Sequence, residues 1–229
     1  MSASSGRRRN RLRSAVPLAI GTLAVGLASC ASAAAVPEDF VYRARIDDCR
    51  ITTPQLATIF RISDRLLVSA AHPFEGIRSF EVLDVNGDSI EADLVALRPE
   101  KDVALLWLQE PQDSGAVALA SQPVEPDTPV EIVTFDREGA LVIQAGRAVR
   151  LANVTLDGED PRQGIELQAD IEAGDSGAPV LFDDRVVGVV FASSRGRESG
   201  WAVSAAEVNS LVATLPDQPV PLVLGCGAG

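Results

Sequence analysis

Residues 168–194 read QADIEAGDSGAPVLFDDRVVGVVFASS. The apolar runs 179–182 and 186–192 are short, rich in valine and bounded by turn residues, so each reads as a buried strand. Just before the first of them stands the turn Gly174-Asp175-Ser176-Gly177. Its glycines let the backbone reverse sharply and leave the Ser176 hydroxyl in a fixed place at the mouth of a strand.

The same pattern extends to both sides. From Val41 onward, short apolar runs alternate with turn residues and helical periodicity is almost absent. Strands are expected over 56–62, 66–69, 77–85, 89–97 and 103–108, with Asn86-Gly87-Asp88 as a hairpin turn between two of them. A looser segment, 109–114, carries Pro111, Asp113 and Ser114. A second series follows over 117–120, 130–135, 140–151, 164–169, 179–182, 186–192 and 200–203. Strands this short and this closely spaced predict an all-β sandwich or barrel, and two clusters favour two barrels, over 41–115 and 116–229. One helix is expected, over 204–215, opened by Ser204 with Glu207 three positions on as a capping box. Apolar residues make up 46% of the chain and aromatics only 4%, so the core is expected to be aliphatic.

Two further segments give Ser176 its chemical company. Residues 66–72, LLVSAAH, end an apolar strand in two alanines and His72, the one histidine of the chain. Residues 101–108, KDVALLWL, place Asp102 at the opening of another buried strand. A serine hydroxyl is a weak nucleophile until a base takes its proton. Imidazole titrates near neutrality and suits that task, and a carboxylate on its far nitrogen fixes the tautomer. The N–H groups of Gly174 and Ser176 are placed to converge on a developing oxyanion. Each residue has a plainer reading as well: a structural histidine, a strand-capping acid, an ordinary glycine turn.

The order His, Asp, Ser, with the strings AAH, DVALLWL and GDSGAP, resembles the chymotrypsin clan of serine proteases. Together with GWAVSAAEV at 200–208 and the flanking cysteines, residues 168–194 resemble most the actinobacterial periplasmic acid-resistance serine proteases, over about 41–229. The resemblance implies two antiparallel six-stranded β-barrels with a C-terminal helix, and a trypsin-like endopeptidase working through His72, Asp102 and Ser176. It implies that Asp175 forms a buried ion pair that shapes the oxyanion turn, with Arg147 as a candidate mate. It also places Asp170 at the base of the primary pocket, lined further by Ser193 and Gly200, where an acid favours Arg or Lys in the substrate; the alternative is that an insertion or a turned strand points Asp170 to solvent. Two departures stand out: Ala178 replaces a second glycine, and Phe191 stands where many relatives carry a serine that supports the aspartate.

Composition bounds the remaining readings. The net charge is −12, and removing the first thirty residues, with five arginines and no acid, leaves 15 basic against 32 acidic groups. Such a surface repels phosphate backbones, so a nucleic-acid partner is not expected. One histidine and no paired cysteine spacing argue against a zinc site. No dinucleotide or phosphate fingerprint is present, so no cofactor is expected. Asp157-Gly158-Glu159-Asp160 reads as a solvated acidic loop rather than a calcium site.

The opening MSASSGRRRNRLR is basic, SAVPLAIGTLAVGLAS is apolar, and Cys30 follows. Residues 1–29 have the layout of a secretory signal, and 30–40 read as a tether. Leu27-Ala28-Ser29-Cys30 resembles a lipobox, which would lipidate Cys30 and anchor the protein to the outer face of a membrane. Ala31-Ser32-Ala33 offers an alternative cleavage site that would release it, and an uncleaved apolar anchor is the third reading. Cys49 and Cys226 then remain, as a disulfide in an oxidising compartment or as two separate thiols. The expected partner is a protein or peptide substrate, with the protein a monomer. The competing functions are a catalytically silent binding domain on the same fold, and a protease whose activity is regulated by redox or pH.

Overall fold

The computed structural model describes residues 36–113, 115–155, 161–193 and 199–226. The signal segment, Cys30 and the acidic loop at 157–160 therefore lie outside the described residues. Two seven-stranded sheets make up the body. The first holds β1 (Val41–Asp48), β2 (Gln55–Arg61), β3 (Leu66–Ser69), β4 (Ile77–Leu83), β5 (Ser89–Ile90), β6 (Ala92–Arg98) and β7 (Val103–Leu108), in the order β5-β4-β1-β2-β3-β7-β6. Only Glu91 separates β5 from β6, and these two halves of one bent strand pair with β4 and β7 respectively. Counted as one, they close the sheet into a six-stranded antiparallel barrel.

The second sheet holds β8 (Ala118–Leu119), β9 (Thr128–Phe135), β10 (Leu141–Val154), β11 (Arg162–Gln168), β12 (Pro179–Phe182), β13 (Arg185–Ser193) and β14 (Gly200–Ser204). Its order is β12-β9-β10-β11-β14-β13-β8, and β12 also pairs with β13. Six antiparallel strands thus form a ring, with β8 added to β13 in parallel. The expected all-β, double-barrel class with a C-terminal helix is the one observed.

Three apolar clusters explain why so many strands read as solid apolar runs rather than alternating ones. One fills the first barrel around Ile46, Ile59, Leu67 and Leu106. Another fills the second around Ile132, Leu167, Val180 and Val190. The third draws on both sheets, joining Phe60, Val68 and Leu105 to Val133, Val189 and Val203. Successive residues such as Leu105 and Leu106, or Val189 and Val190, therefore serve different cores, so both faces of the strand are buried.

Three local expectations are corrected. Pro37–Phe40, read as the end of a tether, forms a helical turn, α1, whose Phe40 is buried in the shared core. β1 was not among the expected strands; its VYRARIDD alternates buried Ala44 and Ile46 with outward Arg45 and Asp47. The C-terminal helix α2 spans Ala205–Val212, and its capping box does not form. Ser204 has the extended backbone of an N-cap, but its hydroxyl donates to Gln163 Oε1 at 3.2 Å. Glu207 instead accepts from the Gln163 N–H at 3.2 Å and from Lys101 Nζ at 3.3 Å, so both side chains tie the helix to neighbouring strands.

Candidate active site

His72 begins a 3-10 turn, His72–Phe74, directly after the buried Ala70 and Ala71 that follow β3. Asp102 sits in the left-handed region, φ 53°, between a 3-10 turn at Pro99–Lys101 and β7. This strained residue turns its carboxylate back onto β3's end. Oδ1 accepts from the Ala71 N–H at 2.8 Å and the His72 N–H at 2.9 Å. The His72 ring then meets both oxygens through Nδ1, at 3.1 and 3.0 Å. Its other nitrogen, Nε2, lies 3.0 Å from Ser176 Oγ, reaching across 104 residues of sequence. The three side chains expected to meet do meet. Asp102 is 5% exposed, whereas the imidazole side chain is 44% exposed, so the pair is buried on the acid side and open on the other.

The Ser176 turn is pinned between the sheets. Thr58 N–H donates to Ser176 O at 2.8 Å, and Gly177 N–H donates to Val190 O at 2.7 Å. Gly174 and Gly177 have φ of +108° and +91°. Thr58 Oγ1 donates to Gly174 O at 3.0 Å, fixing that peptide's carbonyl. Among the described residues, neither the Gly174 nor the Ser176 N–H has a protein acceptor.

Arg147 is not the mate of Asp175. Its guanidinium donates to the Asp127 carbonyl. Asp175 Oδ1 accepts from Thr134 Oγ1 at 2.7 Å and Oδ2 from the Glu172 N–H at 2.8 Å. Burial pushes this carboxyl above the ordinary carboxylate range; the Thr134 and Glu172 donors oppose the rise, and the charges of Glu172 and Asp170 add to it. A hydroxyl on β9 thus does the work assigned to a cation.

One charged residue at the site was not foreseen. Arg162, the first residue of β11, is 2% exposed, and its Nη1 lies 3.6 Å from Asp102 Oδ2. Its guanidinium rests over the Phe191 ring, 5.3 Å from the centroid. The signal available in sequence was Phe191 itself: where a supporting serine is missing, another group must stand beside the buried carboxylate. The arginine was hidden in the polar stretch DGEDPRQG.

Ser193 and Gly200 are register partners across β13 and β14. A Cβ on Gly200 would fall 2.4 Å from Ile171 Cγ1, so the Ile171 side chain occupies the space that the glycine leaves open. Asp170 is exposed and lines a cavity of about 430 Å³, with Thr58, Gln144, Glu172 and Gly174 among its walls. Gly200 thus packs against Ile171, the chain neighbour of Asp170. Cys49 and Cys226 form a disulfide with Cα atoms 5.5 Å apart, as cysteine usage suggested. Among the described residues no helix is long and apolar enough to cross a membrane.

Comparison with known proteins agrees with this fold. Serine protease Rv3671c of Mycobacterium tuberculosis strain H37Rv and serine protease MT3772 of strain CDC 1551 are each 31% identical over 173 residues. Those matches cover 71% of this chain and 43% of each relative, so the chain spans less than half the length of the curated relatives it matches. The crystal structure of Rv3671c protease in its active form superposes with a TM-score of 0.74 at 24% identity, covering 82% of this chain and 86% of that one. The HtrA-type protease AlgW with tripeptide gives a TM-score of 0.67 at 19% identity, over 79% of this chain and 62% of that one. At those identities the superpositions speak for the fold. Residues 57–189, more than half of the sequence, match the family described as the trypsin-like peptidase domain, and the chain belongs to that family.

Proposed function

We propose that this protein is an exported serine endopeptidase that hydrolyses peptide bonds through an acyl-enzyme. The observation that carries the reading is the relay of contacts from Asp102 through both His72 nitrogens to Ser176, each about 3 Å long. Ser176 Oγ attacks the scissile carbonyl carbon while His72 Nε2 takes its proton. Asp102 keeps Nδ1 protonated and steadies the imidazolium. The oxyanion is received by the Gly174 and Ser176 N–H groups, which have no acceptor among the described residues to give up first. Collapse breaks the C–N bond, and the imidazolium hands its proton to the leaving amine. Water, deprotonated by the same nitrogen, then releases the acyl group and restores Ser176.

Peptide and protein substrates suit a cleft whose imidazole is open to solvent on one side. Export is supported by the basic, apolar and small-residue order of residues 1–33 and by the disulfide, which persists in oxidising compartments. Lipidation of Cys30 belongs to the same reading. Metabolic labelling with a fatty-acid analogue should mark the protein and be lost in Cys30→Ser.

The decisive experiment is labelling with a fluorophosphonate. The unsubstituted protein is expected to react and Ser176→Ala to remain unlabelled. A failure of both at every pH and redox state tested would overturn the enzyme in favour of a binding domain. Labelling only after oxidation or acidification would establish regulation.

A further inference from the structure

The geometry points to Arg162 as a positioning residue for the Asp102–His72 pair, one that holds the carboxylate and offsets its charge. Arg162 Nη1 and His72 Nδ1 both face Asp102 Oδ2, at 3.6 and 3.0 Å, while Oδ1 is taken by two backbone N–H groups. The carboxylate is thus held from the backbone, from the ring and from the guanidinium. A guanidinium that is 2% exposed is costly to bury unless it is paired, and among its partners is the carboxylate that orients the base. Phe191 supplies the flat face that fixes the plane of the fork. The one other cation beside Asp102 in sequence is Lys101, and it is engaged with Glu207 at 3.3 Å.

The charge has a consequence that packing alone does not. Beside a bare buried carboxylate, the protonated ring is strongly favoured. With Arg162 in place, the ring faces a carboxylate whose charge is partly cancelled. Removing the cation therefore favours the imidazolium, and the ring must titrate at higher pH than in the unsubstituted protein.

The chain contains a single histidine, so ring proton NMR reads this titration directly, without substrate and whatever the protein's activity. In Arg162→Met the titration is expected to move up by about one pH unit, and in Arg162→Lys, which keeps the charge, to move much less. If the proposed chemistry holds, the acid limb of kcat moves by the same amount and kcat falls about tenfold with KM little changed. Arg162→Lys is expected to recover part of that loss.

An unmoved titration in a folded Arg162→Met protein overturns the inference and leaves the proposed protease chemistry standing. A moved titration without any fluorophosphonate labelling does the reverse. Should Arg162→Met not fold, the unsubstituted protein still decides. The Arg162 guanidinium N–H signal, assigned by its absence in Arg162→Lys, is expected to shift as the ring titrates. A guanidinium signal indifferent to that titration would refute the coupling.

Discussion

A Cβ on Gly177 would stand 2.0 Å from the Thr58 carbonyl oxygen and 2.2 Å from Ser69 Oγ, at a φ of +91° that side chains rarely adopt. Neither neighbour can yield cheaply, because Ser69 Oγ donates to that same carbonyl at 2.7 Å and Thr58 N–H holds Ser176 O. Gly177→Ala must therefore shift the turn that carries Ser176, and with it the N–H groups facing the oxyanion. Its expected cost is a fall in kcat/KM of at least 100-fold, the scale of one lost oxyanion donor. Retention of near-normal turnover on a peptide substrate would contradict this account of the turn. The glycine, the serine, the histidine and Asp102 were legible because each is bound to a short local pattern that the chemistry demands. Thr134 and Arg162 were not, since nothing in a strand residue or a polar stretch marks it as the partner of an acid 41 or 60 positions away. The misassigned mate of Asp175 came from the same gap: a buried carboxylate demands a donor, but its sequence neighbours do not say which.

Helix α2 shows how an element can be placed correctly for a partly mistaken reason. The Ser204 and Glu207 spacing fits a capping box, and a helix does start there. Yet both side chains spend their hydrogen bonds on β11 and Lys101 rather than on the helix's own N–H groups. Two substitutions distinguish the arrangements. Were Ser204 a true cap, Ser204→Ala would cost about 1 kcal/mol. Here Gln163 is exposed and water can replace the lost hydroxyl, so the expected cost is well below that. Glu207→Ala removes the acceptor for the Gln163 N–H and for Lys101, and should cost more than Ser204→Ala, on the order of 1 kcal/mol. Urea unfolding of the two variants measures the order, and a reversed ranking would restore the capping box. β1 illustrates the opposite failure. Its alternation is that of a strand with one wet face, but the charged Arg43, Arg45 and Asp47 masked the buried Ala44 and Ile46.

At the scale of the whole molecule, the two barrels were legible as two clusters of short apolar runs, whereas their closure was not. Closure depends on a strand bent at Glu91 and on the β12–β13 pairing, both of which are matters of register. The chain is then tied end to end. The disulfide spans 177 residues and brings the tail back to the end of β1; along the tail, Leu222 N–H donates to Leu94 O on β6 at 2.8 Å and Leu224 packs on the first barrel's core. In the chain-entropy picture a loop of that size is worth about 5 kcal/mol. Cys49→Ser with Cys226→Ser is expected to lose a large part of this in chemical denaturation, with the contacts of the first barrel otherwise retained.

Beside the bridge, Asp48 adds a pH dependence of known sign. Its carboxylate accepts from the Arg50 side chain and backbone N–H and from Gln55, and these donors hold its pKa down to about 2 against the opposing effect of burial. An acid with a lowered folded-state pKa binds its proton more readily when unfolded. Its contribution is therefore complete above the ordinary carboxylate range, near pH 4, and is lost as pH falls toward 2. The difference in melting temperature between the unsubstituted protein and Asp48→Asn should accordingly be constant above about pH 5 and close between about pH 4 and 2. A difference that persists undiminished at pH 2 would mean that the Arg50 and Gln55 contacts do not discriminate the ionised acid from its amide.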